Sequence, residues 1–181
     1  MIRGVFIWLL SIVLAPLAVV LGQIPSEKVK PQTLFQLGAK FRHPSPLPVS
    51  VLETLRADAS NQQLFESCPT RGSRHAIPSS WFVAAEVELK HGESSDLVVR
   101  AENGCFWGAN IGPFWVFRYT NIGYELVLNA SALGLELLDT RTNGYRDIRL
   151  SSASGGNVRS TVFKFTGGKY RAVVKHEPSS D

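Results

Sequence analysis

The sequence predicts a mainly β protein: two tandem four-stranded antiparallel, blade-like repeats with one short N-terminal helix. Three observations carry this expectation. From Trp81 onward the apolar residues recur with period two, as Val87 and Leu89 do between Glu86, Glu88 and Lys90, which is the periodicity of a half-buried strand. Polar, glycine-containing turns separate the runs: His91-Gly92-Glu93, Asn121-Ile122-Gly123, Asn143-Gly144 and Thr166-Gly167-Gly168. Such residues supply the positive-φ positions that tight hairpins need. Finally, the pattern is written twice. Asp96 before Leu97-Val98-Val99 matches Asp147 before Ile148, 51 positions on, and Tyr124 matches Tyr170, 46 positions on. The first copy is longer only around Cys105 to Pro113. A period near fifty with strand-like content is the signature of a repeated supersecondary unit.

Taken in order, the chain opens with Met1-Ile2-Arg3 and an apolar run from Gly4 to Gly22. A basic start, an apolar middle and a small-residue exit describe a secretory signal over 1–22. The alternative is an uncleaved membrane anchor, since 19 apolar positions are about enough to span a bilayer. Residues 23–47 read as a linker, because Pro25, Pro31, Pro44 and Pro46 interrupt any helix. A single β domain follows over 48–181. It begins with a helix over 48–60, with Pro48 in its first turn, Ser50 as its cap and Val51, Leu52 and Leu55 as its apolar stripe. Repeat one covers 81–130, with strands near 81–89, 96–101, 113–119 and 124–130. Repeat two covers 135–175, with strands near 135–140, 147–152, 160–166 and 169–175. Trp115, Phe117 and Tyr119 fall on one face of their strand and read as core, a pattern echoed by Phe163 and Phe165.

The pattern Leu89-Lys-His-Gly-Glu-Ser-Ser-Asp96-Leu-Val-Val, and its counterpart Asp139-Thr-Arg-Thr-Asn-Gly-Tyr-Arg-Asp147-Ile, resembles the blade repeat of FG-GAP or VCBS proteins, the integrin-α-type β-propeller. The resemblance covers about half of the chain and implies meander-like blades whose turns often bind calcium. The turns here depart from that. The first keeps only Glu93 and Asp96 as oxygen donors, and the second sets Arg141 and Arg146 among Asp139, Asn143 and Asp147. Calcium takes six to eight oxygens and accumulated negative charge. Asp96 and Asp147 are therefore read as turn-closing acceptors of backbone N–H groups, and no metal or cofactor is expected. Two blades do not close a ring. The sheets then pack face to face, or the helix caps an open edge, or subunits complete one another.

Nineteen Lys and Arg stand against fifteen Asp and Glu, a net +4. The cations read as dispersed along the sequence, which argues for a solvated surface and against a nucleic-acid partner. The two cysteines, Cys68 and Cys105, are expected to pair in an exporting context. No catalytic residue is assigned: no Gly-x-Ser-x-Gly surrounds a serine and the four histidines are isolated. The candidate binding residues are Asn103, Phe106, Trp107 and Asn110 in the loop that breaks the repeat, and Arg71 and Arg74 in the basic loop after Cys68. The sequence thus reads as an exported, periplasmic or secreted, non-enzymatic binding domain. Its partner would be a protein or an envelope polysaccharide met through the Cys105–Trp107 loop, with a membrane involved only if the N-terminal segment is uncleaved. The opposing readings are a hydrolase of an envelope polymer and a module that completes a partner's sheet.

Overall fold

A computed structural model describes residues 31–66, 68, 77–92, 95–154 and 157–173. The proposed signal segment and the loop with Arg71 and Arg74 lie outside these residues. Nine strands form two antiparallel sheets. The first copy is a meander of β2 (Phe82–Val87), β3 (Asp96–Ala101), β4 (Gly112–Thr120) and β5 (Gly123–Ala132). The second is a meander of β6 (Gly134–Thr142), β7 (Tyr145–Ser154), β8 (Asn157–Thr166) and β9 (Lys169–Ala172). Two of the hairpins turn on residues with left-handed backbone, Asn143-Gly144 (φ 53° and 83°) and Gly167-Gly168 (φ 59° and 82°). Two successive positive φ values match the twist of the flanking strands.

The proline-rich segment is not a free tether. Leu34–Gln36 forms β1, which pairs with β6, and Phe35 and Phe41 are buried in the core, edge to face at 5.0 Å. Prolines before and after this stretch spare the three residues that donate and accept along β6. Arg100, itself buried, fixes the return of the chain by donating to the carbonyls of Gln36 and Ala39, with its guanidinium over Phe41.

The single helix expected over 48–60 is two. α1 (Val49–Ala57) buries Val51, Leu52 and Leu55, and α2 (Ala59–Glu66) follows after Asp58. Asp58 takes an extended backbone, and its carboxylate accepts from the Ser60 N–H at 2.9 Å, which starts the second helix. Ser50 is not the cap of α1; Pro48 occupies that position.

Two cores hold the layers together. In one, α1, α2 and Phe106 cover Phe82, Ala84, Leu97, Val99, Trp115 and Phe117 on one face of the first sheet. In the other, the opposite face of that sheet (Ala85, Val87, Val98, Phe114, Val116) meets Leu135, Leu137, Ile148, Leu150 and Phe165 of the second. The sheets thus pack face to face, and the helices cover a face rather than an edge. Adding the repeat offsets shows how the copies stack. Leu97 and Val99 correspond to Ile148 and Leu150, and Phe117 to Phe163. The face that the first sheet turns to the helices is the face that the second sheet turns to the first. Asn61, fully buried, locks this arrangement: it donates to the Leu55 carbonyl and accepts from the Trp115 indole and the Asn129 amide, each at 3.0 Å.

Candidate functional site

In a meander, alternate turns fall at the same end. One end of the sandwich therefore gathers the turns β2–β3, β4–β5, β6–β7 and β8–β9. They are tied together by the bridge between Lys90 and Tyr145, by Arg146 N–H donating to Leu89 O (2.7 Å) and by the Asn143 amide donating to Phe165 O (2.8 Å). The other end carries the loop 102–111 and the disulfide.

At the disulfide end, Cys68 and Cys105 are bonded, with Cα atoms 5.4 Å apart. Asn103 accepts from Cys105 N–H at 3.0 Å and opens a short 3₁₀ turn over Gly104–Phe106. The turn drives Phe106 inward, against the loop's expected role as an aromatic display. Phe106 is 3% exposed and packs on Phe65, Trp81 and Phe82 with ring centroids 5.6–5.9 Å apart. Trp107 is half-buried, and its indole N–H donates to Ala101 O at 3.0 Å. Gly112 lies so close that a Cβ there would stand 2.6 Å from Leu37 and 3.0 Å from Trp107. Of the predicted loop residues among those described only Asn110 is exposed, with Ile111 beside it.

The hairpin end has the opposite character. Tyr119 is 51% and Ile122 93% exposed, and Tyr119 meets Tyr124 edge to face at 5.2 Å. The turn that lifts Ile122 is held by the Thr120 hydroxyl, which donates to Gly123 O at 2.8 Å and accepts from Ile122 N–H. An open hollow of ≈ 390 Å³ lies here, lined by Arg118, Thr120, Ile122, Tyr124 and Glu125. That volume is within the range of ligand sites, but the hollow is open to solvent and suits a protruding side chain of a partner. Arg118 forms its floor. It bonds Glu125 and the Tyr145 hydroxyl and lies over the rings of Tyr145 and Phe165, 5.8 and 5.5 Å from their centroids. The Tyr145 bond, first among its interactions, raises the Arg118 pKa, so its charge is permanent. Desolvation, and then the charge of Glu86, raises the pKa of Tyr124 and keeps it a neutral donor.

The two repeated aspartates lie beneath this end and are buried. Asp96 accepts from Leu89 N–H (3.1 Å) and Tyr119 N–H (2.9 Å), the turn-closing role its spacing predicts. Asp147 accepts from the Thr140 hydroxyl at 2.9 Å, seven residues back, as Leu89 is from Asp96. Asp96 thus ties its hairpin to β4, whereas Asp147, expected to accept backbone N–H groups, accepts a hydroxyl instead and its Oδ1 has no partner among the described residues. Among the described residues no three His, Cys, Asp or Glu side chains gather to hold a metal.

Sequence reasoning placed Tyr119 in the core with Trp115 and Phe117, and the structure corrects it. The cover of helices ends after Phe117. The run Tyr119-Thr-Asn-Ile-Gly-Tyr124 held the available signal: an isoleucine at the centre of a two-residue turn has no core to enter.

The molecule is thus a disulfide-bonded, mainly β sandwich with one helical layer, and a disulfide of this kind fits an oxidising, exported compartment. Among the described residues no helix is long and apolar enough to cross a membrane. No family model, curated protein or solved structure matches the chain, so the likeness to FG-GAP blades stands on the aspartates and turn glycines alone.

Proposed function

We propose that the chain is an exported, non-catalytic binding domain that contacts a protein through the β4–β5 hairpin end. One observation carries this reading: Tyr119 and Ile122 stand exposed beside the half-buried Tyr124, on a hairpin held by the Asp96 and Thr120 bonds. Tyrosine beside an aliphatic tip, rimmed by Arg118 and Glu125, is the make-up of an interface centre. The preference for a protein over an envelope polysaccharide rests on Ile122, which offers no hydrogen bond to a sugar. The loop proposed from sequence, with Trp107 half-buried and Phe106 inside, moves to a supporting role.

The experiment is retention of envelope proteins on the immobilised chain, comparing wild type with Ile122→Asp and Trp107→Ala. The proposal expects a discrete protein lost with Ile122→Asp and kept with Trp107→Ala. Loss with Trp107→Ala alone would return the site to the loop. Retention of protease-resistant polysaccharide instead of protein would overturn the choice of partner.

A further inference from the structure

The cations of the described strands fall into two groups. The five arginines between residues 97 and 150 each have a carboxylate: Arg100 with Glu102, Arg118 with Glu125, Arg141 with Glu88, Arg146 with Asp139 and Arg149 with Glu136. The next four, Arg159, Lys164, Lys169 and Arg171, have no ion pair among the described residues. All four are exposed and lie on β8 and β9, which contain no Asp or Glu. Among the cations of the strands, those without an ion pair are thus gathered on β8 and β9.

The register puts Lys164 directly opposite Arg171, and Thr166 opposite Lys169. Lys164, Lys169 and Arg171 therefore share the outer face of the second sheet. Val162 lies two residues from Lys164 on that face, opposite Val173, whose N–H donates to Val162 O at 2.8 Å. Val173 is 42% and Val158, further along the same face, 69% exposed. Like charges directly opposite across a ladder cost stability, and among the described residues no carboxylate pairs with either. By the repeat correspondence this is the face on which the first sheet takes a partner layer: Phe114 and Val116 correspond to Ser160 and Val162.

We propose that the outer face of β8 and β9 docks on an anionic lipid bilayer surface. Cations interleaved with valines on an open, flat face match the headgroup boundary, which takes both charge and apolar side chains. A soluble polyanion would use the charges but gain nothing from the valines.

Residues 31–173 contain both cores, the disulfide and every strand found among the described residues, so the chain from residue 31 carries all of these and tests the face without the apolar run. Its partitioning is measured on vesicles of phosphatidylcholine, alone and with phosphatidylglycerol, at low and at about 0.15 M salt. The proposal expects binding to the anionic vesicles only, weakening with salt. Lys164→Glu removes one cation and neutralises Arg171, and at about fivefold per cation lowers partitioning about thirtyfold. The same variant raises Tm, because it turns a repulsive cross-strand pair into an attractive one, so the loss does not come from unfolding. Lys40→Glu, outside β8 and β9, makes the same change in net charge and lowers partitioning less than about fivefold. Equal losses for the two variants, equal binding to neutral vesicles, or binding to inorganic polyphosphate with anionic vesicles ignored would each overturn the proposal.

Discussion

The pair Tyr119–Tyr124 in the first copy and the pair Phe165–Tyr170 in the second are the same feature in opposite surroundings. Both meet edge to face, at 5.2 and 5.3 Å. Phe165 and Tyr170 are each 6% exposed, between the sheets, whereas Tyr119 is 51% exposed. The difference comes from what lies above each. The first sheet covers the second at Phe165 and Tyr170, close to the turns. Under the helices the last buried residue of β4 is Phe117, and Tyr124 beyond it is only partly covered. A repeated strand thus gives core in one copy and surface in the other, and the uncovered copy is the one available for contact.

The largest effect that bears on this comparison is at Phe165. Phe165→Ala removes a ring from between the sheets and lowers unfolding stability by about 3–5 kcal/mol, while Tyr119→Ala costs about 1 kcal/mol or less; urea unfolding of the two variants measures both. Equal costs would break the comparison. Next come the aspartates beneath the pairs. Asp96→Asn replaces a carboxylate that accepts two backbone N–H groups and costs about 2–3 kcal/mol, against about 1 kcal/mol for Asp147→Asn, whose carboxylate has a single hydroxyl donor.

The tyrosines sharpen the contrast through pH. Burial, and then the charges of Asp96 and Asp147, raises the pKa of Tyr170 far above its ordinary value of 10.0. The folded state then holds a proton that the unfolded state releases, so this stability is complete below pH 10 and is lost as pH rises above it. Tyr170→Phe removes that alkaline dependence, although it also loses the 2.8 Å bond to Arg146 O. Tyr124, raised less, leaves most of the slope in place when changed to Phe. Thermal unfolding between pH 8 and about 11 reads the difference. The smallest effect on stability is at Ile122, where Ile122→Ala stays within about 0.5 kcal/mol because the side chain touches so little.

Much of the architecture was legible in the sequence. All eight strands of the two repeats lie close to where period two and the glycine turns put them, and the spacing of Asp96 and Asp147 marked the repeat and the turn-closing role of Asp96. Three things were hidden. β1 is three residues long, and the prolines around it mask the one alternation that pairs with β6. Both faces of β3 and β4 are buried, so alternation there does not tell which face meets the helices or where the cover ends; Tyr119 looks like Phe117 until the helices stop. The direction of Phe106 is set by the Cys68–Cys105 bond and the Asn103 turn, neither of which leaves a periodic trace. Of the site, Ile122 in its turn was readable and its aromatic neighbours were not.

The central claim is that the exposed tip of Tyr119 and Ile122 is the contact surface, and crosslinking in cells tests it most directly. A photoreactive residue is placed at position 122, at the hairpin end, and in a second chain at position 110, at the disulfide end. The account predicts a discrete protein adduct from 122 that disappears when Tyr119→Ala is added, and none from 110. An adduct from 110 with none from 122 would contradict it.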